Sequence, residues 1–277
     1  MLSRRKFIDL LTQTSLALAV AGNEAIASNA KHPSIGLLLG TVEKEMTADP
    51  AGTLKKIAAI GYKELEYPRT YGYAANTLKQ LIKKNKLVSI GGGNNITELT
   101  NRFADYADEY SKMAKKYVFC YWPWFDGGTN KSTDDWKKQA EILNKLGQKY
   151  KSAGLRLAYH NHEIEFKETE KQIPYDILLQ YTDPELITFQ MDIWWIRKGE
   201  QMPLDYITKY PGRFEVCHIK TAGLIQISEA VQQLNYKEIF TQSAKAGFKH
   251  YILENEPGIN EPFTYFEKSY DLIKKLL

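Results

Sequence analysis

Two imidazoles and two carboxylates crowd into the eight residues Tyr159-His160-Asn161-His162-Glu163-Ile164-Glu165-Phe166. Such groups together can bind a divalent metal or move protons near neutral pH. The preceding Gly154-Leu155-Arg156-Leu157-Ala158 alternates small or apolar with longer side chains and reads as a short buried strand. Ionisable groups placed where a strand runs out face a pocket rather than a core. Taken alone, the stretch could also be a polar loop with a capped histidine. Later strand-like runs, however, end the same way. Asp192 follows Ile187-Thr188-Phe189-Gln190-Met191, and His218, then Lys220, follow Phe214-Glu215-Val216-Cys217. Glu254, with Glu256 close behind, follows His250-Tyr251-Ile252-Leu253, and Glu66 ends an earlier run at Glu64-Leu65-Glu66-Tyr67. Each has an ordinary structural explanation: Asp192 as a loop cap, His218 as a core histidine, Glu254 as a lysine partner. Their recurrence at consecutive strand ends argues for one site. Mixed nitrogen and carboxylate donors suit Mn²⁺, Zn²⁺, Co²⁺ or Fe²⁺ better than an all-oxygen calcium site.

The elements that must position these residues alternate between strand-like and helix-like from Ser34 to the end. Ile35–Leu39 is the first strand, Leu87–Ile90 the third and Tyr117–Tyr121 the fourth. Ile96, Leu99, Phe103, Tyr106, Tyr110 and Met113 keep the three-and-four spacing of a single helix. Ser132-Thr133-Asp134 reads as the N-cap of the next helix. Gly91-Gly92-Gly93 reads as a close loop at a rim, without the spacing of a phosphate-binding turn. Eight strand–helix pairs in about 240 residues match a (β/α)₈ TIM barrel, whose chemistry sits at the C-terminal ends of the strands. An open doubly wound sheet is the alternative, but Leu39-Gly40-Thr41 lacks its glycine fingerprint.

The first thirty residues read as an address. Ser3-Arg4-Arg5-Lys6-Phe7 is a twin-arginine pattern, Leu10 to Ala21 is apolar but too short to span a bilayer, and Ala25-Ile26-Ala27 fits a cleavage site. The expectation is an exported, periplasmic protein whose residues 31–277 form one domain, with a frayed amphipathic helix as the alternative for the N-terminus. The chain has 277 residues and a net charge of +4, or +3 without residues 1–27. That is too mild to argue for nucleic acid, and no other apolar run is long enough for a membrane. Lys83-Lys84, Lys115-Lys116 and Lys137-Lys138 read as solvated faces, and Cys120 and Cys217 as buried thiols. Aromatic clusters at Tyr121-Trp122-Pro123-Trp124-Phe125 and Trp194-Trp195 would suit the C–H faces of a sugar as well as a core.

These motifs together resemble the sugar phosphate isomerase/epimerase family, the xylose isomerase-like TIM barrels. The resemblance spans about Ile35 to Leu277. It is carried by Tyr159–Phe166, Met191-Asp192-Ile193-Trp194-Trp195, Phe214–Lys220 and Tyr251-Ile252-Leu253-Glu254, with Gly61-Tyr62-Lys63-Glu64-Leu65-Glu66 in the first half. It implies one divalent metal held by Asp192, His218, Glu254 and a strand-five ligand, placed at His160 with His162 as the fallback. The ketose epimerases of the family use a glutamate at that strand-five position and a two-glutamate mechanism. His160 replaces the first of the pair here, Thr221 replaces an aspartate after His-x-Lys, and the glycine-bearing loop is reduced to Ala222-Gly223-Leu224-Ile225-Gln226. The histidine-rich motif is closer to inosose dehydratases and to keto-sugar lyases and hydratases.

The expected function is metal-dependent isomerisation or epimerisation of a sugar or keto-sugar, with elimination or hydration as the alternative. Glu165 and His162 are the base candidates, Lys220 would stabilise an oxyanion, and Glu66 and Trp195 would line the sugar. A non-catalytic sugar-binding barrel is a rival from another class. An apurinic endonuclease shares the fold, but wants more histidines than five and a basic groove. The sequence leaves the oligomeric state open.

Overall fold

The computed structural model describes residues 33–125, 128, 131–221, 233–255 and 261–277. The proposed export signal, the Ala222–Gln226 loop and Glu256 lie outside the described residues. Eight parallel strands, β1 (Ile35–Leu38), β2 (Glu64–Glu66), β3 (Val88–Asn95), β4 (Tyr117–Trp122), β5 (Arg156–His160), β6 (Ile187–Asp192), β7 (Phe214–Thr221) and β8 (His250–Asn255), pair in sequence order and close into a barrel. Strands covered on both faces are apolar almost throughout, and every residue of β6 is buried. The pleat sends alternate side chains to opposite sides. Ile90, Tyr117, Phe119, Ala158, Val216 and Ile252 fill the barrel interior. Leu157, Tyr159, Phe189, Met191 and Cys217 pack in the larger core that also takes up helix residues such as Trp136 and Tyr150. His160 shares the parity of Ala158, Asp192 that of Gln190, His218 that of Val216 and Glu254 that of Ile252. The same alternation that builds the core therefore delivers the polar residues to the barrel mouth.

The helix Thr133–Ser152 starts where the sequence indicates. Ser132 and Asp135 form a reciprocal capping box, and Trp136, Ala140, Leu143, Gly147 and Tyr150 face inward. Elsewhere the structure corrects the sequence reading. Gly91, Gly92 and Gly93 are not a rim loop but part of β3, where a Cβ at Gly92 would collide with the Tyr67 carbonyl and one at Gly93 with the Phe119 carbonyl. Only glycine lets β3 lie so close to both neighbours. The single helix expected over Ile96 to Met113 is two, Ile96–Asn101 and Phe103–Lys112, broken at Arg102. The break lets Ile96 and Leu99 of the first and Tyr106 and Tyr110 of the second all reach the core.

Lys115 is not a solvated lysine. It is 4% exposed, its Nζ donates to the Tyr67 carbonyl at 3.1 Å, and it lies 3.9 Å and 4.1 Å from the Tyr67 and Tyr110 ring centres. The carbonyl, the π-faces and the Glu109 carboxylate 3.7 Å away compensate its charge for lost water. Both cysteines are free and buried. No described helix is long and apolar enough to cross a membrane.

Candidate active site

His160, Asp192, His218 and Glu254 meet at the C-terminal mouth of the barrel, with one donor atom of each within 4.8 Å of all the others. Backbone register sets this up: Asp192 pairs with His218 across β6 and β7, and Lys220 with Glu254 across β7 and β8. Asn161 ties the end of β5 to that of β6, donating to the Asp192 carbonyl at 3.1 Å and accepting from the Asp192 N–H at 3.0 Å. Asp192 is also the N-cap of a short helix, Ile193–Lys198, that leaves β6 at once, its Oδ1 accepting from the Trp195 N–H at 2.9 Å. Asp192 Oδ2 is buried and has no hydrogen-bond partner among the described residues.

His218 is clamped between two carboxylates, with Nε2 3.0 Å from Glu66 Oε2 and Nδ1 2.9 Å from Glu254 Oε2. Burial pushes its pKa down, but the Glu66 charge and the Glu254 hydrogen bond outweigh it and hold it at about 10. Burial likewise pushes Glu254 up, yet the bond and charge of His218, followed by Lys220, hold it well below the usual carboxylate range. Lys220 Nζ lies 2.7 Å from Glu254 Oε1. Asp192 is pushed up to about 7 by burial and then by the Glu254 charge. His160 is pushed well below its ordinary value by burial, then by the neighbouring imidazoles, so it is neutral.

This donor set fits a divalent cation. A buried carboxylate oxygen is left unpartnered, a neutral imidazole stands beside it, and a proton bridges His218 and Glu254 where a cation could replace it.

A cavity of about 230 Å³ adjoins the cluster, lined by His160, His162, His218, Glu254 and Tyr121, with Leu38, Gly40 and Pro68. His162 stands in its wall, 5.3 Å from the Trp195 ring and 5.9 Å from Trp122 between centres. Burial brings its pKa down to about 4, and its Nδ1 has no partner among the described residues. Trp195 is in reach through that contact, and Lys220 Nζ sits 4.7 Å from the Trp195 ring centre.

Two sequence candidates are placed otherwise. Glu66 is fully buried beneath the cluster, where Tyr121, Gln190 and His218 donate to it, and is not a wall of the cavity. Glu165 turns behind β5. It accepts from the Tyr159 hydroxyl at 2.6 Å and from the His162 N–H at 2.8 Å, closing the short 3₁₀ turn Glu163–Phe166. Tyr159 has outer-core parity, so its partner cannot face the barrel mouth. Burial pushes Glu165 up to about 8, although both donors favour the charged form.

The sequence marks Tyr121 only as part of an aromatic cluster and gives no role to Gln190. Gln190 was visible as a long polar residue two positions before Asp192 in an apolar strand, hence on the same inward face.

Fold and cluster together make a (β/α)₈ TIM barrel with a His/Asp/Glu site at its mouth. No family model matches the chain. A sugar phosphate isomerase/epimerase of Parabacteroides distasonis ATCC 8503 superposes with a TM-score of 0.77, covering 90% of this chain and 96% of that one at 24% identity. An inosose dehydratase of Clostridium perfringens is 26% identical over 176 residues, which are 55% of this chain and 59% of that protein. The chain thus aligns with less than two thirds of that relative's length. An inosose dehydratase of Clostridium botulinum is 23% identical over 273 residues, 84% of this chain and 90% of that one.

Proposed function

We propose that the chain is an enzyme acting on a sugar or keto-sugar by taking a proton from the carbon next to a carbonyl, with one divalent ion (Mn, Co, Zn or Fe) held by His160, Asp192, His218 and Glu254. The observation that carries this reading is their convergence within 4.8 Å, with Asp192 Oδ2 buried and without a partner among the described residues. Such an ion, when bound, polarises the carbonyl and its neighbouring hydroxyl and so acidifies the C–H between them. The chain's own residues supply the rest. His162 is a neutral imidazole in the cavity wall, ready to take the proton and become an imidazolium, leaving an enediolate. Lys220 offers positive charge beside the developing oxyanion. Trp195 and Trp122 flank His162 and give a sugar ring an apolar wall. Return of the proton to the other carbon, or to the other face, isomerises or epimerises. Departure of a neighbouring hydroxyl, taking that proton, releases water.

Elimination is the reading favoured by one specific observation. Glu165, the strand-five carboxylate available for a two-base epimerisation, is turned behind the strand. The names of the two Clostridium relatives support the same choice. Export through the twin-arginine signal remains part of the proposal, and Arg4→Lys with Arg5→Lys should leave the precursor in the cytoplasm.

The test is incubation of Mn²⁺- or Co²⁺-loaded protein with aldoses, ketoses, 3-keto-sugars and inososes in D₂O. Deuterium at carbon in recovered substrate supports proton abstraction, and loss of water from the product selects elimination. Tight binding of sugars with neither exchange nor turnover across the panel would overturn the proposal in favour of a sugar-binding protein.

A further inference from the structure

We infer that Glu66, directly and through Gln190, fixes opposite imidazole tautomers in the two histidines of the cluster, leaving Nε2 of His160 and Nδ1 of His218 bare for the ion. This rests on the metal-site reading above and assigns roles to two residues beneath it.

Three donors converge on the buried Glu66 carboxylate: the Tyr121 hydroxyl at 2.6 Å on Oε1, and Gln190 Nε2 at 2.7 Å and His218 Nε2 at 3.0 Å on Oε2. Burial and the Glu66 charge push the Tyr121 phenol well up, so it stays a donor. A side-chain amide has one end that donates and one that accepts. Facing an acceptor, Gln190 must turn its NH₂ to Glu66, because the reverse would set its carbonyl against a carboxylate. Its Oε1 is then committed to His160 Nδ1 at 2.9 Å, and an amide oxygen can only accept. His160 must therefore carry its proton on Nδ1. A neutral imidazole has only one N–H, so Nε2 is bare on the side of the other donors.

His218 receives the opposite instruction from the same carboxylate: its Nε2 lies 3.0 Å from Glu66 Oε2 and 2.7 Å from Gln190 Nε2, and of the two only the charged carboxylate can accept, so Glu66 takes the Nε2 proton while the Gln190 N–H also turns to Glu66, and Nδ1 is left toward Glu254. Gln190 and Glu66 are fully buried, so water does not compete for these bonds. Partners of this kind on the far nitrogen orient a ligating ring and fix its tautomer. Gln190 and Glu66 are positioning residues: they act through the histidines, not on a substrate.

The experiment is long-range ¹H–¹⁵N correlation on ¹⁵N-histidine-labelled, Zn²⁺-loaded full-length protein, with Zn²⁺ affinity measured by titration calorimetry. In the wild type, His160 should show Nδ1–H and His218 Nε2–H. Gln190→Leu should abolish the Nδ1–H preference of His160 and weaken Zn²⁺ about 10-fold, while His218 loses only the amide beside its Nε2, keeps Glu66 as acceptor and should retain Nε2–H. Gln190→Glu, whose carboxyl must hold a proton toward Glu66 as the amide does, keeps an acceptor toward His160 and should restore its pattern. General damage to the core would not separate the two rings, nor be rescued by a second carboxyl. If Gln190→Leu fails to fold, Gln190→Met keeps the length and carries the same expectation. A wild-type His160 protonated on Nε2, or a His160 pattern and Zn²⁺ affinity unchanged in Gln190→Leu, overturns the inference while leaving the metal site standing. A wild type that binds no Zn²⁺ overturns the metal reading and this inference with it.

Discussion

The two ends of the barrel carry similar residue types and use them oppositely. At the N-terminal end, Glu215 accepts from Tyr117 at 2.6 Å and pairs with Arg156 at 2.9 Å and Lys249 at 3.1 Å. Nearby, His250 Nδ1 lies 2.9 Å from Glu64. Both acids there have partners, and Arg156, Lys249 and His250 also reach solvent. At the C-terminal end, His218 and Glu66 are sealed from water, yet Asp192 Oδ2 and His162 Nδ1 have no partner among the described residues. Saturated charges at a water-accessible end stabilise a fold cheaply. Unsaturated charges in a sealed one cost stability and are retained where chemistry needs them. The same eight strands thus hold a stability end and a reactive end.

Asp192→Asn should break the comparison most severely. It should release the metal and lower turnover on the order of 10³-fold, since a Lewis-acid site contributes several kcal/mol. It should also raise the melting temperature of the metal-free protein by removing a poorly compensated carboxylate. The pH sign follows from its folded value of about 7, above its ordinary value of about 4. The stability this contributes is present below about pH 4 and lost as pH rises through 7, so metal-free melting should fall across that window. Asp192→Asn should flatten the fall. Metal analysis, kinetics and calorimetry check all three, and a variant keeping full metal and rate removes Asp192 from the site.

His162→Gln should keep the metal and lose on the order of 10²-fold in rate, the lower end of what a general base contributes. Loss of metal instead would make His162 the strand-five ligand.

Glu165→Gln sharpens the contrast within a single turn. Because its carboxylate lies behind β5, the rate should change by less than about 10-fold, well short of a lost general base. A much larger loss with metal retained would return Glu165 to the role of base. Its folded value of about 8 again means stability lost as pH rises from the ordinary carboxylate range through 8, a slope the variant should not show.

Glu215→Gln, at the other end, should leave kinetics unchanged and cost about 1–3 kcal/mol, because the buried Tyr117 hydroxyl and two partly exposed cations lose a charged acceptor. Burial pushes this carboxyl up, but Tyr117, Arg156 and Lys249 bring it net below its ordinary value. Its contribution is therefore present above the usual carboxylate range and lost as pH falls below it. The variant should lose the acid limb of the wild-type melting curve, while a change in kcat would mean that the two ends are coupled.

The alternation of apolar strands with helical periods is local, so all eight strands could be read from the chain, and so could the polar residues that end them. Parity along each strand then sends His160, Asp192, His218 and Glu254 inward whatever the rest of the molecule does. Side-chain direction after a strand ends is not local. Glu165 lies five residues past His160 in a reactive-looking motif, and only the 3₁₀ turn closed on the His162 N–H, with the Tyr159 hydroxyl as its other partner, shows that it faces away. Glu66 could be seen to end β2, but not that three donors from β4, β6 and β7 would converge on it. Gln190 carries no motif and gains a role only because closure sets it between Glu66 and both histidines. Lys115 looked solvated until the distant Tyr67 brought its ring and carbonyl beside it, with the nearby Tyr110 and Glu109 closing in. The sequence by itself determined the barrel and which residues reach its mouth, because both follow from a period of two along each strand. Tertiary structure alone decided which of them pair, which stay unpartnered and which turn away, because those outcomes depend on side chains far apart in the chain.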